Sequence, residues 1–142
     1  MRLKEELEGV LDIIEEIKNE DKDIPIIVEG KNDVKALKDL GIERKIVKIK
    51  KGKSIIRIIE GLRRKYEKVI ILTDWDPTGR KLCYDIKKAC QSNDIEYDLD
   101  YRKRIVKFLK KEVKDVEGIP SFIKRARTNT DPRKRKKRLK NF

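Results

Sequence analysis

The stretch VIILTDWDPTGRKL, residues 69–82, places five residues suited to a buried β-strand directly before two aspartates. Asp74 and Asp76 are separated by a tryptophan and followed by Pro77 and Gly79. Two carboxylates at the end of a hydrophobic strand repel each other unless a proton or a cation lies between them. The stretch is therefore either an ordinary strand-to-helix loop with an acidic helix cap or a site that holds a cation.

The cation-binding interpretation rests on the spacing of the two aspartates. In an extended chain, the side chains of Asp74 and Asp76 point to the same side. Carboxylate oxygens open to water suit magnesium, which keeps several of its waters and is often shared with a phosphate. Pro77 and Gly79 favour a sharp turn, and Thr78 is the predicted cap of the helix that follows.

Outward from this stretch, short apolar segments alternate with amphipathic ones. The predicted strands are IPIIVEG (24–30), KIVKIK (45–50), VIILTD (69–74) and IEYDL (95–99), and the predicted helices are 1–20, 32–41, 54–66, 78–90 and 101–114. This alternation predicts a three-layer, Rossmann-like α/β domain with a mostly parallel four-stranded sheet flanked by helices. Ligands bind such sheets outside the carboxyl ends of the strands, where Glu29 and Asp74 are predicted to lie.

The positive charge of the chain is concentrated near its end. Residues 124–142 carry ten Lys or Arg and a single acid, within a total net charge of +13. Such a segment cannot fold alone, because like charges repel and little can be buried. It is either a solubilising extension or, as we prefer, a basic arm that neutralises nucleic-acid phosphates. Its predicted nucleic-acid-binding residues are Arg133, Lys134, Arg135, Lys136, Lys137 and Arg138.

Several classes of chemistry are excluded by composition. The chain has no histidine, which rules out Ser-His-Asp triads and zinc sites that contain His. Cys83 and Cys90 are two turns apart on a predicted helix, roughly 10 Å, which is too far for a disulfide between them. Acid–base chemistry must therefore use carboxylates, Lys, Tyr, Cys or bound water.

Composition also gives expectations about the cellular setting. No apolar run reaches the length that spans a bilayer, and the N-terminus does not resemble a signal peptide. We therefore expect a cytoplasmic protein without a membrane partner. Lys, Glu and Ile are abundant and glutamine occurs once, a bias typical of hyperthermophile proteins.

The segments IIVEGKNDV (26–34) and ILTDWDPTG (71–79) together resemble the Toprim domain family, whose signature is a Glu-Gly strand end followed by Asp-x-Asp-x-x-Gly. The resemblance implies that Glu29 is the general acid or base, that Asp74 and Asp76 bind Mg²⁺, and that Glu29 shares this metal site. It also implies that Gly30 and Gly79 allow close backbone approach. Asp33 matches an acidic position of the family or is a helix cap.

The resemblance covers about residues 22–100. The chain is accordingly divided into an N-terminal amphipathic helix (1–21), a Toprim domain (22–100), a C-terminal helical extension (101–123) and a basic nucleic-acid-binding tail (124–142). Further phosphate contacts are predicted at Lys31, Lys51, Lys53 and Arg80. The KGKS segment (51–54) is not a P-loop, because Val47 stands where that motif requires glycine.

Toprim domains occur in topoisomerases, bacterial-type primases, nucleases and recombination proteins. The chain resembles the small stand-alone archaeal group through TDWD and KDVEGI (114–119), and is similar to the bacterial nuclease that matures 5S ribosomal RNA. The leading hypothesis is a Mg²⁺-dependent endoribonuclease that acts on structured RNA, especially ribosomal RNA, with the ribosome as a further partner. The alternatives are a non-catalytic RNA- or ribosome-binding protein and a DNA repair or primase-like role.

Overall fold

The computed structural model describes residues 2–49 and 54–130. The strands are β1 (Ile26–Val28), β2 (Ile46–Lys48), β3 (Lys68–Ile71) and β4 (Glu96–Asp98). The helices are α1 (Leu3–Asn19), α2 (Lys31–Asp39), α3 (Ile55–Arg63), α4 (Pro77–Ser92), α5 (Asp100–Leu109) and α6 (Ile119–Thr130), with a 3-10 turn at Val116–Gly118. Within these two ranges no helix has the length and apolar character needed to cross a membrane.

All four strands are parallel and lie in the order β2-β1-β3-β4. Ile26 of β1 pairs with Ile46 on one side and with Ile70 on the other. The chain moves outward from β1 to β2 and then returns to β3, so the strand order reverses between β1 and β3. Such a switch point leaves a crevice at the carboxyl ends of the strands, where ligands bind. The predicted α/β class and parallel sheet are confirmed.

Two helical layers cover the sheet, and alternating strand residues contact opposite layers. Ile26 and Val28 are fully buried in the core shared with α1, α2, α5 and α6, whereas Ile27 is buried against α3 and α4. Cys83 and Cys90 are free, buried thiols in the second layer, in line with the sequence prediction. Burial raises the pKa of the Cys90 thiol to about 11, which makes it unreactive.

Local sequence signals set most of the element ends, although the predicted caps of α2 and α4 were wrong. Gly41 follows α2 with a φ of 84°, the left-handed conformation that ends many helices. Ser54 accepts a hydrogen bond from the Arg57 N–H and caps α3, at the start of the helix predicted over 54–66. The N-cap of α2 is Gly30 rather than Asp33, and the helix starts at Lys31 rather than at the predicted residue 32. The helix begins earlier because the Asp33 carboxylate reaches back to the Gly30 N–H at 3.0 Å.

Helix α6 extends across residue 124, where the sequence places the start of the basic tail. Phe122, Ile123 and Ala126 of this helix are buried in the core with α1. Residues 124–130 are therefore helical because they continue an element that the core stabilises, although their own charges oppose folding. Lys124, Arg125 and Arg127 lie on its exposed side.

Arg44 joins the end of α1 to the start of β1. Its guanidinium donates to four backbone carbonyls, those of Ile17, Glu20, Asp21 and Ile24, at 2.6–2.8 Å. Two of these carbonyls belong to the end of α1, where helical carbonyls lack partners within the helix. A single side chain thus provides hydrogen-bond donors to the backbone carbonyls that connect the first helix to the sheet.

Arg44→Ala is expected to lower the free energy of unfolding by about 3 kcal/mol, because hydrogen bonds from a charged donor contribute more than neutral ones. The loss is less than the sum of four bonds, since water can reach some of the freed carbonyls. Urea denaturation followed by circular dichroism measures it. Arg64→Ala, at an exposed position after α3, is the control and should change stability by less than about 0.5 kcal/mol. Equal stabilities of the two variants would contradict this role for Arg44.

Candidate active site

The candidate site lies at the carboxyl ends of β1 and β3, on either side of the switch point. Glu29 follows the last residue of β1, and Asp74 lies three residues after the end of β3. Both side chains are half-buried. The sequence prediction that the two acids follow neighbouring strands at one edge of the sheet is confirmed, because β1 and β3 pair directly.

The loop that carries Asp74 is held by the C-terminal part of the chain. The Asp74 Oδ1 accepts a hydrogen bond from the Val116 N–H at 2.9 Å. The Arg102 side chain donates to the carbonyls of Thr73 and Asp74 at 2.9 and 2.8 Å. Trp75 Nε1 donates to the Val113 carbonyl at 2.7 Å. These contacts fix both the backbone and the carboxylate of Asp74.

Asp74 lies among other carboxylates that disfavour its charge. Burial raises the pKa of Asp74 to about 7, the Val116 N–H opposes this shift, and the charges of Asp33, Asp115 and Glu29 add to it. The four carboxyl groups come from the residue after β1, α2, the loop after β3 and the segment before the 3-10 turn. We call Glu29, Asp33, Asp74 and Asp115 the acidic cluster. A concentration of negative charge in a chain of net charge +13 favours a cation at this position.

Asp33 belongs to the acidic cluster and also hydrogen-bonds the backbone at the start of α2. Its side chain is buried, with 6% exposure, and its Oδ2 accepts the Gly30 N–H. Burial raises the pKa of Asp33, the backbone N–H of Gly30 lowers it, and the charges of Glu117 and Asp115 raise it further. The two interpretations of Asp33 from sequence, family acid and helix cap, are thus compatible.

Asp76 has a different environment from Asp74. It is exposed and is the N-cap of α4, where its Oδ1 accepts the Gly79 N–H at 2.7 Å. The predicted cap at Thr78 is wrong, because Pro77 occupies the first helical position and leaves Asp76 as the residue before the helix. The helix-cap interpretation of the opening stretch is thus confirmed for Asp76. Asp74 lies in the acidic cluster, and cation binding there stays a prediction.

The two glycines of the motif differ in how closely they are packed. A Cβ at Gly79 would lie 2.1 Å from the Asp74 carbonyl oxygen, so only glycine fits there. The predicted close backbone approach thus exists at Gly79, and it holds α4 against the Asp74 loop. At Gly30 a Cβ would meet no atom within 4 Å. Packing within the described protein therefore does not require glycine at that position.

Several residues of the site were not identified from sequence. Arg102 and Trp75 hold the Asp74 loop, Asp115 adds charge beside Asp74, and Glu117 adds charge beside Asp33. The available signal was KDVEGI (114–119), which carries two acids and a glycine close together. Asp115 caps the 3-10 turn by accepting the Gly118 N–H at 2.8 Å.

The predicted phosphate contacts fall partly within the described residues. Lys31 is exposed at the first position of α2, and Arg80 is exposed in the first turn of α4, so both lie beside the acidic edge of the sheet. The other predicted contacts lie outside the described residues: Lys51, Lys53, Arg133, Lys134, Arg135, Lys136, Lys137 and Arg138.

The chemistry of the donor set fits magnesium better than a metal held entirely by protein. Within residues 2–49 and 54–130, no three His, Cys, Asp or Glu side chains are arranged to hold a metal ion. Magnesium commonly uses one or two carboxylates, several waters and substrate phosphates. The Asp74 carboxylate, on which the charges of Asp33, Asp115 and Glu29 act, is enough to provide one such carboxylate ligand.

Comparison with known proteins assigns the class. A family model described as the Toprim domain matches residues 24–108. The chain belongs to the Toprim domain family, which associates it with metal-dependent action on nucleic acids in general.

Within that family, the chain is similar to small archaeal proteins grouped as UPF0292. It is 35% identical over 123 residues to the UPF0292 protein of Methanocaldococcus jannaschii, covering 87% of this chain and 96% of that protein. It is 36% identical over 105 residues to the Methanosarcina barkeri UPF0292 protein, covering 74% and 73%. The solved structure of an Aquifex aeolicus protein matches with a TM-score of 0.63 and 33% identity, covering 75% of this chain and 94% of that one. The predicted resemblance to a stand-alone archaeal-type Toprim protein is confirmed.

Proposed function

We propose that this protein is a magnesium-dependent endoribonuclease that cleaves structured RNA, with precursor ribosomal RNA as its substrate and the cytoplasm as its location. The observation that carries the proposal is the acidic cluster at the switch point between β1 and β3. Burial and the charges of three carboxylates from separate parts of the chain raise the pKa of Asp74 there to about 7. Such an arrangement costs stability and is typical of functional sites.

In this proposal Asp74 and Asp76 are the magnesium ligands, and Glu29 contributes to the same site. Magnesium, when bound, neutralises charge on the phosphate under attack. Glu29 accepts or donates the proton that phosphodiester cleavage requires, since the chain has no histidine. Arg102 and the Val116 N–H hold the Asp74 loop in place before substrate binds.

The basic residues bring the substrate to this site. Lys31 and Arg80 are exposed near the acidic edge, and Lys51, Lys53 and residues 124–142 carry further positive charge. Positive charge around an acidic centre attracts the phosphate backbone while leaving the metal-binding groups to contact one phosphate. We propose that Arg133 to Arg138 form the docking arm.

The test begins by crosslinking the protein in its own cells and sequencing the attached nucleic acid. We expect precursor ribosomal RNA, which is then incubated with the purified chain in magnesium and, separately, in excess chelator. Cleavage at a defined position only in magnesium supports the proposal. Genomic DNA as the crosslinked species would instead favour a repair or primase-like role, and crosslinked RNA that is never cleaved would contradict the nuclease.

A non-catalytic RNA- or ribosome-binding protein is the second candidate, and one observation favours it. Asp76 is engaged as a helix cap, and no three-carboxylate metal site is preformed among the described residues. This candidate predicts ribosome association that survives replacement of Glu29, Asp74 and Asp76 together but is lost when residues 131–142, the part of the basic tail beyond α6, are deleted. Cosedimentation with ribosomal particles separates it from the nuclease.

A further inference from the structure

A second surface of the protein has exposed apolar side chains with several cations and two acids, Glu60 and Asp85, near them. It lies on α3 and α4, the layer opposite α1, α5 and α6. Ile56 and Tyr84 are 56% and 55% exposed, which is unusual for side chains of this size in the described protein. A groove of 390 Å³ runs between the two helices and is lined by Ile55 and Ile56 on one side and by Asp85, Lys88 and Ala89 on the other.

Helix α4 carries a stripe of exposed residues that starts at the candidate active site. Arg80, Tyr84 and Lys88 are four residues apart and therefore lie on one helical face. Arg80 is one turn beyond Asp76, the N-cap of the helix. We call Arg80, Lys81, Tyr84 and Lys88 the α4 stripe. Its direction leads from the acidic edge of the sheet across the outer surface of the domain.

The α4 stripe combines cations with an aromatic ring that can stack on a base. The Lys88 ammonium lies 5.5 Å from the centroid of the Tyr84 ring, so a cation and a ring face are next to each other on the surface. Lys81 forms an exposed ion pair with Asp85 at 3.3 Å. Asp85 is the only acidic residue within α4. Arg57 is exposed beside Ile56 across the groove. The charge complements a phosphate backbone, and the ring suits an unpaired base.

We infer that the α4 stripe binds a single-stranded nucleic-acid segment, with an unpaired base stacked on Tyr84 and phosphates beside Arg80 and Lys88. A positively charged path with an exposed aromatic side chain is how proteins bind single strands without reading their sequence. The inference deepens the proposed function. It rests on that function in one respect, namely that the bound nucleic-acid strand continues to the acidic cluster. A second copy of the chain fits this surface less well, because a symmetric contact would bring the same cations together.

The test measures binding by the full-length chain to labelled single-stranded oligonucleotides, in excess chelator so that nothing is cut. Single-stranded RNA, single-stranded DNA and duplex probes are compared by fluorescence anisotropy over a range of salt concentrations. Tyr84→Ala is expected to weaken single-strand binding by about tenfold, since a stacked base contributes strongly. Tyr84→Phe keeps the ring and should bind like wild type. Both Tyr84 variants should leave the salt dependence of binding unchanged. Lys88→Ala should reduce the slope of the logarithm of affinity against the logarithm of salt concentration by about one, since one phosphate contact is lost.

Duplex binding supplies the internal control, because paired bases cannot stack on Tyr84 and the two Tyr84 variants should bind duplexes equally. A tenfold loss of affinity in Tyr84→Ala, for either single-stranded RNA or single-stranded DNA, supports binding at the α4 stripe. The probe that wild type binds more tightly identifies whether ribose or deoxyribose is preferred. Wild-type affinity for single strands in Tyr84→Ala overturns the inference. It is also overturned if sedimentation shows a dimer that Ile56→Asp dissociates while single-strand binding is unchanged. A chain that binds in this way and never cleaves RNA contradicts the proposed nuclease alone.

Discussion

Asp74→Asn is expected to stabilise the metal-free protein at pH 8 and to lower its RNA cleavage by roughly 10²–10³-fold, the usual effect of losing one electrostatic contact to the reacting group. The variant keeps the shape of the side chain and an oxygen that can accept the Val116 N–H, which Asp74 Oδ1 accepts at 2.9 Å. It removes only the charge that Asp33, Asp115 and Glu29 oppose. The stability change follows from the structure, and the activity change follows from the proposed function.

The sign of the stability change follows from the pKa of Asp74. Burial and neighbouring carboxylates raise this pKa in the folded chain from 3.8 to about 7. The folded state then binds more protons than the unfolded state between these pH values, so stability falls as pH rises through that window. Asp74→Asn should therefore match wild type near pH 4 and exceed it by about 2 kcal/mol at pH 8, a figure reduced for the partial exposure of the group.

Thermal unfolding in chelator at pH 4, 6 and 8 measures this difference, with Asp12→Asn at an exposed position of α1 as the control. Magnesium should raise the melting temperature of wild type and leave that of Asp74→Asn almost unchanged, because a ligand stabilises only the state that binds it. A variant that is less stable than wild type at pH 8, or that cleaves RNA at the wild-type rate, would show that Asp74 does not have the role assigned to it.

Gly79→Ala is expected to lower the free energy of unfolding by about 3 kcal/mol, in the range of strained or overpacked substitutions. The new Cβ would lie 2.1 Å from the Asp74 carbonyl oxygen, a backbone atom that cannot rotate away. Gly79 is also held at both ends, because its N–H donates to Asp76 Oδ1 at 2.7 Å and its carbonyl accepts the Thr73 hydroxyl at 2.9 Å. Relief of the clash must move the start of α4 away from the Asp74 loop.

Gly61→Ala is the matched control, because Gly61 is exposed within α3 and a Cβ there would meet no atom within 4 Å. That variant should gain roughly 0.5–1 kcal/mol from the higher helix propensity of alanine. Urea denaturation of the two variants therefore gives changes of opposite sign. We also expect Gly79→Ala to lose RNA cleavage at temperatures where it remains folded. If both substitutions stabilised the protein, the Asp74 loop would have moved to accommodate the new Cβ at little cost, which would contradict the close packing assigned to Gly79.

Most of the fold could be predicted because its signals are local. The apolar run before Asp74 and the β-branched run before Glu29 are strands, and Gly41 and Ser54 mark helix ends where expected. The caps of α2 and α4 were less predictable, since several neighbouring polar residues can cap a helix. At Pro77 the ring fixes the backbone for the first helical position, which selects Asp76 over Thr78.

The sequence by itself determined that Glu29 and Asp74 lie at one edge of a parallel sheet, because each follows a buried strand and parallel strands share their carboxyl ends. Only the tertiary structure decided what surrounds Asp74. Arg102, Val113 and Val116 contact the Asp74 loop from 28 to 42 residues further along the chain, and Asp115 adds its charge from the same segment. No sequence period relates such distant positions, because they meet only when α5 and the 3-10 turn pack against the edge of the sheet.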